Sequence, residues 1–591
     1  MDKKASISWL FLCKENNLNK ILSELSNFYQ IGHFDEIIKL IKENPQLLRD
    51  IQIANLLAVA YRRTGKFEQS QKCFQSIISA SKLPGVCVSY AMLLSDMKQF
   101  EKSCELLEDA IKLDSGYFDA FLNLGIVATK KGDQRKALNA YKKAHQLKPQ
   151  HFGASLGLIQ SLIVMEDLSS ALDLCEESKF DKPKQLSLAL LTIKIKLKQF
   201  RLVEAEKDLS ALIKIYPSSL DIRLLMARLM LQKGDVVEST KYLKSLNSES
   251  PCDTEVQTLL FECLISSKAQ NPFEFYELAC QKEVNKSLIT DYFFKLMKLK
   301  DFYAAQKLME TNNLLFSGDD TFPVLMSMVY REMNSFDKAF EQLNKIDTKS
   351  TSYHSALYEN VIMLLCDKQY EDAYNGVLEG IELVPESSRW KSLEYTCLKH
   401  FPSVNAIDLT EKIWITDNLL KPELLKELKL YLLSLHEIKN EFIMQSIRDG
   451  SQTEGNLFHR NVSILNKVKT LFMEALQMSC EKRGLPNSGI LNGAWSILMN
   501  EGGKHVNHIH SEGTYSACFY VSIPNVCKEQ GNGWFKCGGA NISQAFIDDD
   551  DYYIEPMENR LVIFPSHLTH GTNLLSGTEQ RLTLAFDYKV I

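Results

Sequence analysis

Over roughly residues 18–395 the apolar positions recur at helical spacing, and short polar turns interrupt them at a nearly constant interval. The turns Gly65-Lys-Phe67, Lys98-Gln-Phe100, Lys131-Gly-Asp133, Met165-Glu-Asp167, Lys198-Gln-Phe200, Lys233-Gly-Asp235, Lys300-Asp-Phe302, Asn334-Ser-Phe336 and Lys368-Gln-Tyr370 lie about 33 to 35 residues apart, with one double interval between 235 and 302. One period back falls Gly32-His-Phe34, and Asn271-Pro-Phe273 fills the gap, giving about eleven helix-turn-helix units, degenerate near 203 and 276. A small residue follows the turn in most copies: Ser70, Ser103, Ala137, Ala171, Ser239, Ala305, Ala339 and Ala373. Small side chains there let two antiparallel helices approach closely.

The copy AFLNLGIVATKKGDQRKALNAYKKAHQLKP, residues 120–149, resembles the tetratricopeptide repeat, with Leu122, Gly125, Ala137, Tyr141, Ala144 and Pro149 on the signature positions. The resemblance implies an all-α solenoid over residues 1–400 whose concave surface holds a peptide or protein partner. No histidine cluster in this half has metal-ligand spacing.

After Phe401-Pro-Ser the period stops. Residues 405–480 keep helical signals, as in KPELLKELKLYLLSLHEI, but from about 490 the pattern changes to short β-prone runs broken by Gly, Asn and Pro. AWSILMN, YSACFYVSIP, GWFKC, NRLVIFP and RLTLAFDYKV predict a β jelly roll with supporting helices over residues 401–591.

Composition narrows the setting. A chain of 591 residues exceeds one core, and 45% hydrophobic with 24% charged residues suits globular domains. The formal charge of −6 argues against sequence-independent binding of nucleic acid. The apolar start Trp9-Leu-Phe-Leu-Cys13 is too short to span a bilayer, so no membrane role and a cytoplasmic location are expected. Fourteen cysteines without a CxxC pair fit reduced thiols rather than a disulfide framework or zinc ribbon.

Candidate chemistry is confined to the β-prone half. HVNHIHSE places His505, His508 and His510 within six positions, with Glu512 two residues further on. Residues two apart on a strand share a face, so His508 and His510 can converge on one ion, with Glu512 near that face. His570 follows the apolar run Leu561–Phe564, and Arg581 stands eleven residues beyond it. His567, an odd separation from His570, is expected to face away, and His505 to lie outside the ligand set. The acids Asp548–Asp551 lack the glycine and spacing of a calcium loop and read as a solvated turn; Trp495 and Trp534 read as core.

The ordered segments His508-Ile-His510-Ser, Ser516-Ala-Cys-Phe-Tyr520, Phe564-Pro-Ser-His-Leu-Thr-His570 and Arg581-Leu-Thr-Leu-Ala-Phe586 resemble the Fe(II)/2-oxoglutarate-dependent oxygenases, in the branch that carries His-x-His, a distal His and an Arg. The resemblance covers about 405–591. It implies Fe(II) held by His508, His510 and His570, with 2-oxoglutarate and O2 as co-substrates. Arg581 would bind the distal carboxylate of 2-oxoglutarate, helped by hydroxyls of Thr583 and Tyr520. Most of that superfamily has an acid where His510 stands, so Glu512 is the alternative third ligand. The reading is a dioxygenase hydroxylating a peptide, a protein or a partner-borne substrate held by the repeats. Two alternatives remain: an interaction scaffold with a degenerate oxygenase domain, and a small-molecule oxygenase whose repeats serve homo-oligomerisation.

Overall fold

The computed structural model describes residues 21–282, 284–401, 408–436 and 446–590; the apolar start at 9–13 and the end of the KPELLKELKLYLLSLHEI run lie outside them. The chain divides into two compact units, meeting between Ala189 and Leu190.

Both units contain helical hairpins, and each turn within a hairpin holds one residue at positive φ. These are Gly32, Gly65, Lys98, Gly132 and Glu166 in the first unit, and Phe200, Gly234, Lys268, Lys300, Asn334 and Lys368 in the second. One left-handed residue lets the chain reverse immediately after the helix. Between residues 21 and 383 this makes eleven hairpins among the described residues, followed by the helix Ser388–Lys399. The expected turn at Asn271–Phe273 is displaced: Lys268 is the reversing residue, and 271–273 lead into the helix Glu274–Lys282. Phe200 is itself the left-handed residue, not the first residue of the next helix. The small positions explain the packing. Ser70, Ser103, Ala137, Ala171, Ala205, Ser239, Ala305, Ala339 and Ala373 are fully buried. Where the residue is serine, its hydroxyl donates to a carbonyl of the preceding helix: Ser70 to Ala58, Ser103 to Ala91 and Ser239 to Ala227. A buried hydroxyl is thereby satisfied at the point of closest helix approach.

Among the described residues the C-terminal part carries eleven strands: β1 (Trp414–Thr416), β2 (Ile447–Gln452), β3 (Gly489–His505), β4 (Tyr515–Ser522), β5 (Phe535–Cys537), β6 (Asn541–Ser543), β7 (Phe546–Ile547), β8 (Tyr552–Ile554), β9 (Leu561–Pro565), β10 (His570–Thr572) and β11 (Arg581–Val590). A six-stranded sheet has the order β1-β9-β4-β11-β3-β2 and a three-stranded sheet the order β10-β5-β8, with every pairing antiparallel. This is the β-rich, jelly-roll arrangement expected. The five β-prone runs become β3, β4, β5, β9 and β11. β2, reading IRDGSQ, has no apolar alternation and owes its pairing to β3.

The alternation along β11 separates two environments. Leu582, Leu584, Phe586 and Tyr588 pack with Leu428, Leu432, Phe472 and Phe519 into a core under the helices Pro422–Leu435 and Ser463–Glu481. Arg581, Thr583, Ala585 and Asp587 point to the opposite face. One helical layer therefore closes one side of the sheet and leaves the other side for a cavity.

Within the second unit the repeats and the β-rich part share contacts. Of Asp548–Asp551, expected as a solvated turn, Asp549 and Asp551 are exposed, but three of the four acids hold cations. Asp548 and Asp551 pair with Lys399 at 3.1 and 2.8 Å, Tyr395 donates to Asp551 at 2.7 Å, and Asp550 takes Lys536 at 2.8 Å. Beside them Leu357, Val361, Trp390 and Cys397 of the last repeats bury Ala540 and Phe546. Farther along, the Arg460 guanidinium lies 3.8 Å from the centre of the Phe200 ring. Residues 401–591 alone would expose that apolar face and lose those charge partners, so we expect a fragment 190–591 to melt well above 401–591. Circular dichroism of both fragments checks this; the same melting temperature for the β signal in each would show that the shared core contributes nothing.

Candidate active site

β10 is short, and its first residue carries His570 to the inner side of the smaller sheet. The stretch after β3 brings His508 alongside it: the backbone N–H of His508 donates to His570 O at 2.9 Å, and the N–H of His570 returns to His508 O at 3.0 Å. His510 follows on the same side. The ring centres lie 4.5 Å apart for His508 and His570, and 5.0 Å for His510 from each of them. One ring nitrogen from each falls within 4.8 Å of the others, which fits a single metal ion.

The hydrogen bonds behind the rings decide their tautomers. Nδ1 of His508 faces Val506 O at 2.7 Å, Nδ1 of His570 faces Leu568 O at 2.9 Å, and Nδ1 of His510 faces Asp587 Oδ1 at 2.5 Å. Carbonyl and carboxylate oxygens only accept, so each Nδ1 carries the hydrogen, which leaves Nε2 as the nitrogen able to face a metal at the centre. Burial, with help from His510, pushes His508 down to about 4. Burial also pushes His570 well below the ordinary range, as does the neighbouring His508. Neutral imidazoles of this kind are the form that binds metal.

The same side of the large sheet lines a cavity of about 470 Å³. Arg581 lies in it, 2% exposed. Its Nη1 donates to Gly533 O, while its Nε is buried with no partner. No carboxylate pairs with Arg581 among the described residues. Tyr520 and Thr583 are buried neighbours, directly opposite each other on β4 and β11. Burial holds the Tyr520 phenol up, protonated and able to donate. A fixed guanidinium with an unmatched donor, beside two buried hydroxyls at the cavity wall, suits a carboxylate ligand.

The sequence-derived residues are thus divided. His508, His510, His570, Arg581, Thr583 and Tyr520 come together in one cavity. Glu512 is exposed and outside the cluster. His567 lines a separate depression with Trp414 and Lys412. His505 is buried, with Nδ1 3.0 Å from Ser446 Oγ, and lines the cavity without joining the cluster. Trp495 packs against the small core of Ile447, Ile497 and Ala585, as expected, and also lines the cavity, its ring 5.3 Å from that of His510. Sequence reasoning missed Asp587, although the period-two alternation from Arg581 through Thr583 and Ala585 leads to it. It also missed Lys298, the last residue of the repeat helix Lys286–Lys298, which lines the cavity.

Residues 493–587 match the family described as "Putative 2OG-Fe(II) oxygenase". Residues 51–82, 84–117, 118–151 and 196–263 match families described as tetratricopeptide repeat. No curated protein matches the chain. Among solved structures, a tetratricopeptide repeat protein from Parabacteroides merdae ATCC 43184 is 14% identical, with 42% of this chain and 98% of that chain covered and a TM-score of 0.32. For the Pseudomonas aeruginosa pilF product the identity is 17%, the coverage 35% and 96%, and the TM-score 0.29. Among the described residues no helix is long and apolar enough to cross a membrane.

Proposed function

We propose that this fusion of tetratricopeptide repeats with a 2OG-Fe(II) oxygenase domain is an Fe(II)/2-oxoglutarate-dependent dioxygenase that hydroxylates a peptide, a protein or a partner-borne substrate. The observation that carries the reading is a pair of features in one cavity: three imidazoles with one ring nitrogen of each within 4.8 Å of the others, and a buried guanidinium that no carboxylate pairs with among the described residues. His508, His510 and His570 would hold the iron on one face. When bound, the metal supplies O2 activation coupled to oxidative decarboxylation of 2-oxoglutarate to succinate. The protein's own part is to bind and orient. Arg581 takes the distal carboxylate, Tyr520 and Thr583 donate to it, and the carbonyls of Val506 and Leu568 keep two rings in register. Phe535, Phe564 and Ile497 on the cavity wall keep water from the reacting centre.

The repeats enter the reading through Lys298. A residue of the array lining the catalytic cavity supports a substrate held jointly by both parts, over an array that serves oligomerisation alone. A soluble protein partner suits such repeats better than nucleic acid or membrane. The test is an anaerobic titration of the full chain with Fe(II) and then 2-oxoglutarate, followed by succinate formation on adding O2. The expected result is a weak visible charge-transfer band that appears only with both ligands. Absence of the band and of succinate would favour the scaffold reading.

A further inference from the structure

A ligand set of three imidazoles would bring no negative charge to a divalent ion. Behind His510, Asp587 supplies a carboxylate at 2.5 Å from Nδ1. The β11 register sets Asp587 opposite Ser516 of β4, whose hydroxyl donates to the same Oδ1 at 2.7 Å. Ser516 in turn lies 2.9 Å from Ser566 Oγ. A Cβ on Gly513 would lie 2.5 Å from Ser566 Oγ and 3.4 Å from Asp587 Cβ, so the backbone closes directly over the pair. Asp587 is 8% exposed, and among the described residues no Lys or Arg pairs with it; its partner ring is His510.

A buried carboxylate without a cation is costly. The pairing makes sense if the cation sits on the far nitrogen of the same ring. The Nε2 atoms of His508 and His510 approach to 3.0 Å, close enough for one positive species to be shared between them. We propose that Asp587 is a positioning residue that delivers, through His510, the negative charge that the ligand set itself lacks. It fixes the tautomer of His510, turns the ring and makes Nε2 a stronger donor to metal. The role rests on the proposed iron site.

Full-length protein titrated with Co(II), followed by its visible ligand-field bands, tests this without turnover. Asp587→Asn keeps an oxygen to accept from Nδ1 and removes only the charge. Expected is a loss of roughly ten- to a hundred-fold in Co(II) affinity with altered bands, and a thermal melt of the metal-free protein close to wild type. Asp587→Glu, which restores the charge on a longer arm, should recover part of the affinity. Unchanged Co(II) affinity in Asp587→Asn, with wild type binding normally, overturns this role and leaves the iron site standing. A wild-type protein that binds no Co(II) removes both. Should Asp587→Asn melt early, Ser516→Ala decides: it keeps the carboxylate, so an affinity loss there as large as in Asp587→Asn would show that packing rather than charge is responsible, and a small loss would support the charge.

Discussion

Arg581→Ala is expected to raise the 2-oxoglutarate concentration needed for half-maximal succinate formation by roughly a hundred- to several-thousand-fold. The side chain is 2% exposed, its Nε has no partner, and no carboxylate pairs with it among the described residues. Removing one partner of a buried, hydrogen-bonded charge pair costs about 3 to 5 kcal/mol, much of it from stranding the other charge. Gly533 O occupies one donor of the guanidinium and holds the fork in place without neutralising it. Arg581→Lys should fall between, because the charge returns without the fork. Arg581 is not part of the cluster formed by His508, His510 and His570, so both variants should keep their metal. Succinate formation at an unchanged half-saturation concentration in Arg581→Ala would refute the co-substrate site.

His510→Ala is expected to abolish detectable Fe(II) binding, whereas Glu512→Ala should leave it close to wild type. Loss of one of the three proposed ligands removes a third of the coordination that the chain would offer, and it leaves Asp587, a buried carboxylate, with the Ser516 hydroxyl in place of a ring N–H. Glu512 is exposed and lies outside the cluster formed by His508, His510 and His570. Equilibrium dialysis against Fe(II) under nitrogen measures both variants. Metal retained by His510→Ala and lost from Glu512→Ala would transfer the third position to the carboxylate.

Much of this protein is decided locally and is therefore legible along the chain. The hairpins form from sequence-adjacent helices, so their period appears as a turn every few tens of residues, and the small residue at the closest approach recurs with it. Strand β11 alternates because one face meets the helical layer, whereas β9 reads as an unbroken apolar run because both its faces are buried. His508, His510, His570 and Arg581 stand in an order and spacing that the strand pleat turns to one side. What the chain alone could not settle lies where the deciding partner is remote in sequence. Glu512 stands only two positions beyond His510 and shares its strand parity, yet His510 stays inside beside the pairing of His508 with His570 while Glu512 faces solvent. Asp548 and Asp551 look merely solvated until Lys399, some 150 positions earlier, is packed against them. Trp495 becomes a cavity wall because its own strand borders β11, and Lys298 reaches the cavity from a repeat helix. Asp587 finds His510 across 77 residues. In each case a charge or ring is placed by a contact whose partner sequence proximity does not reveal, and only the folded chain supplies it.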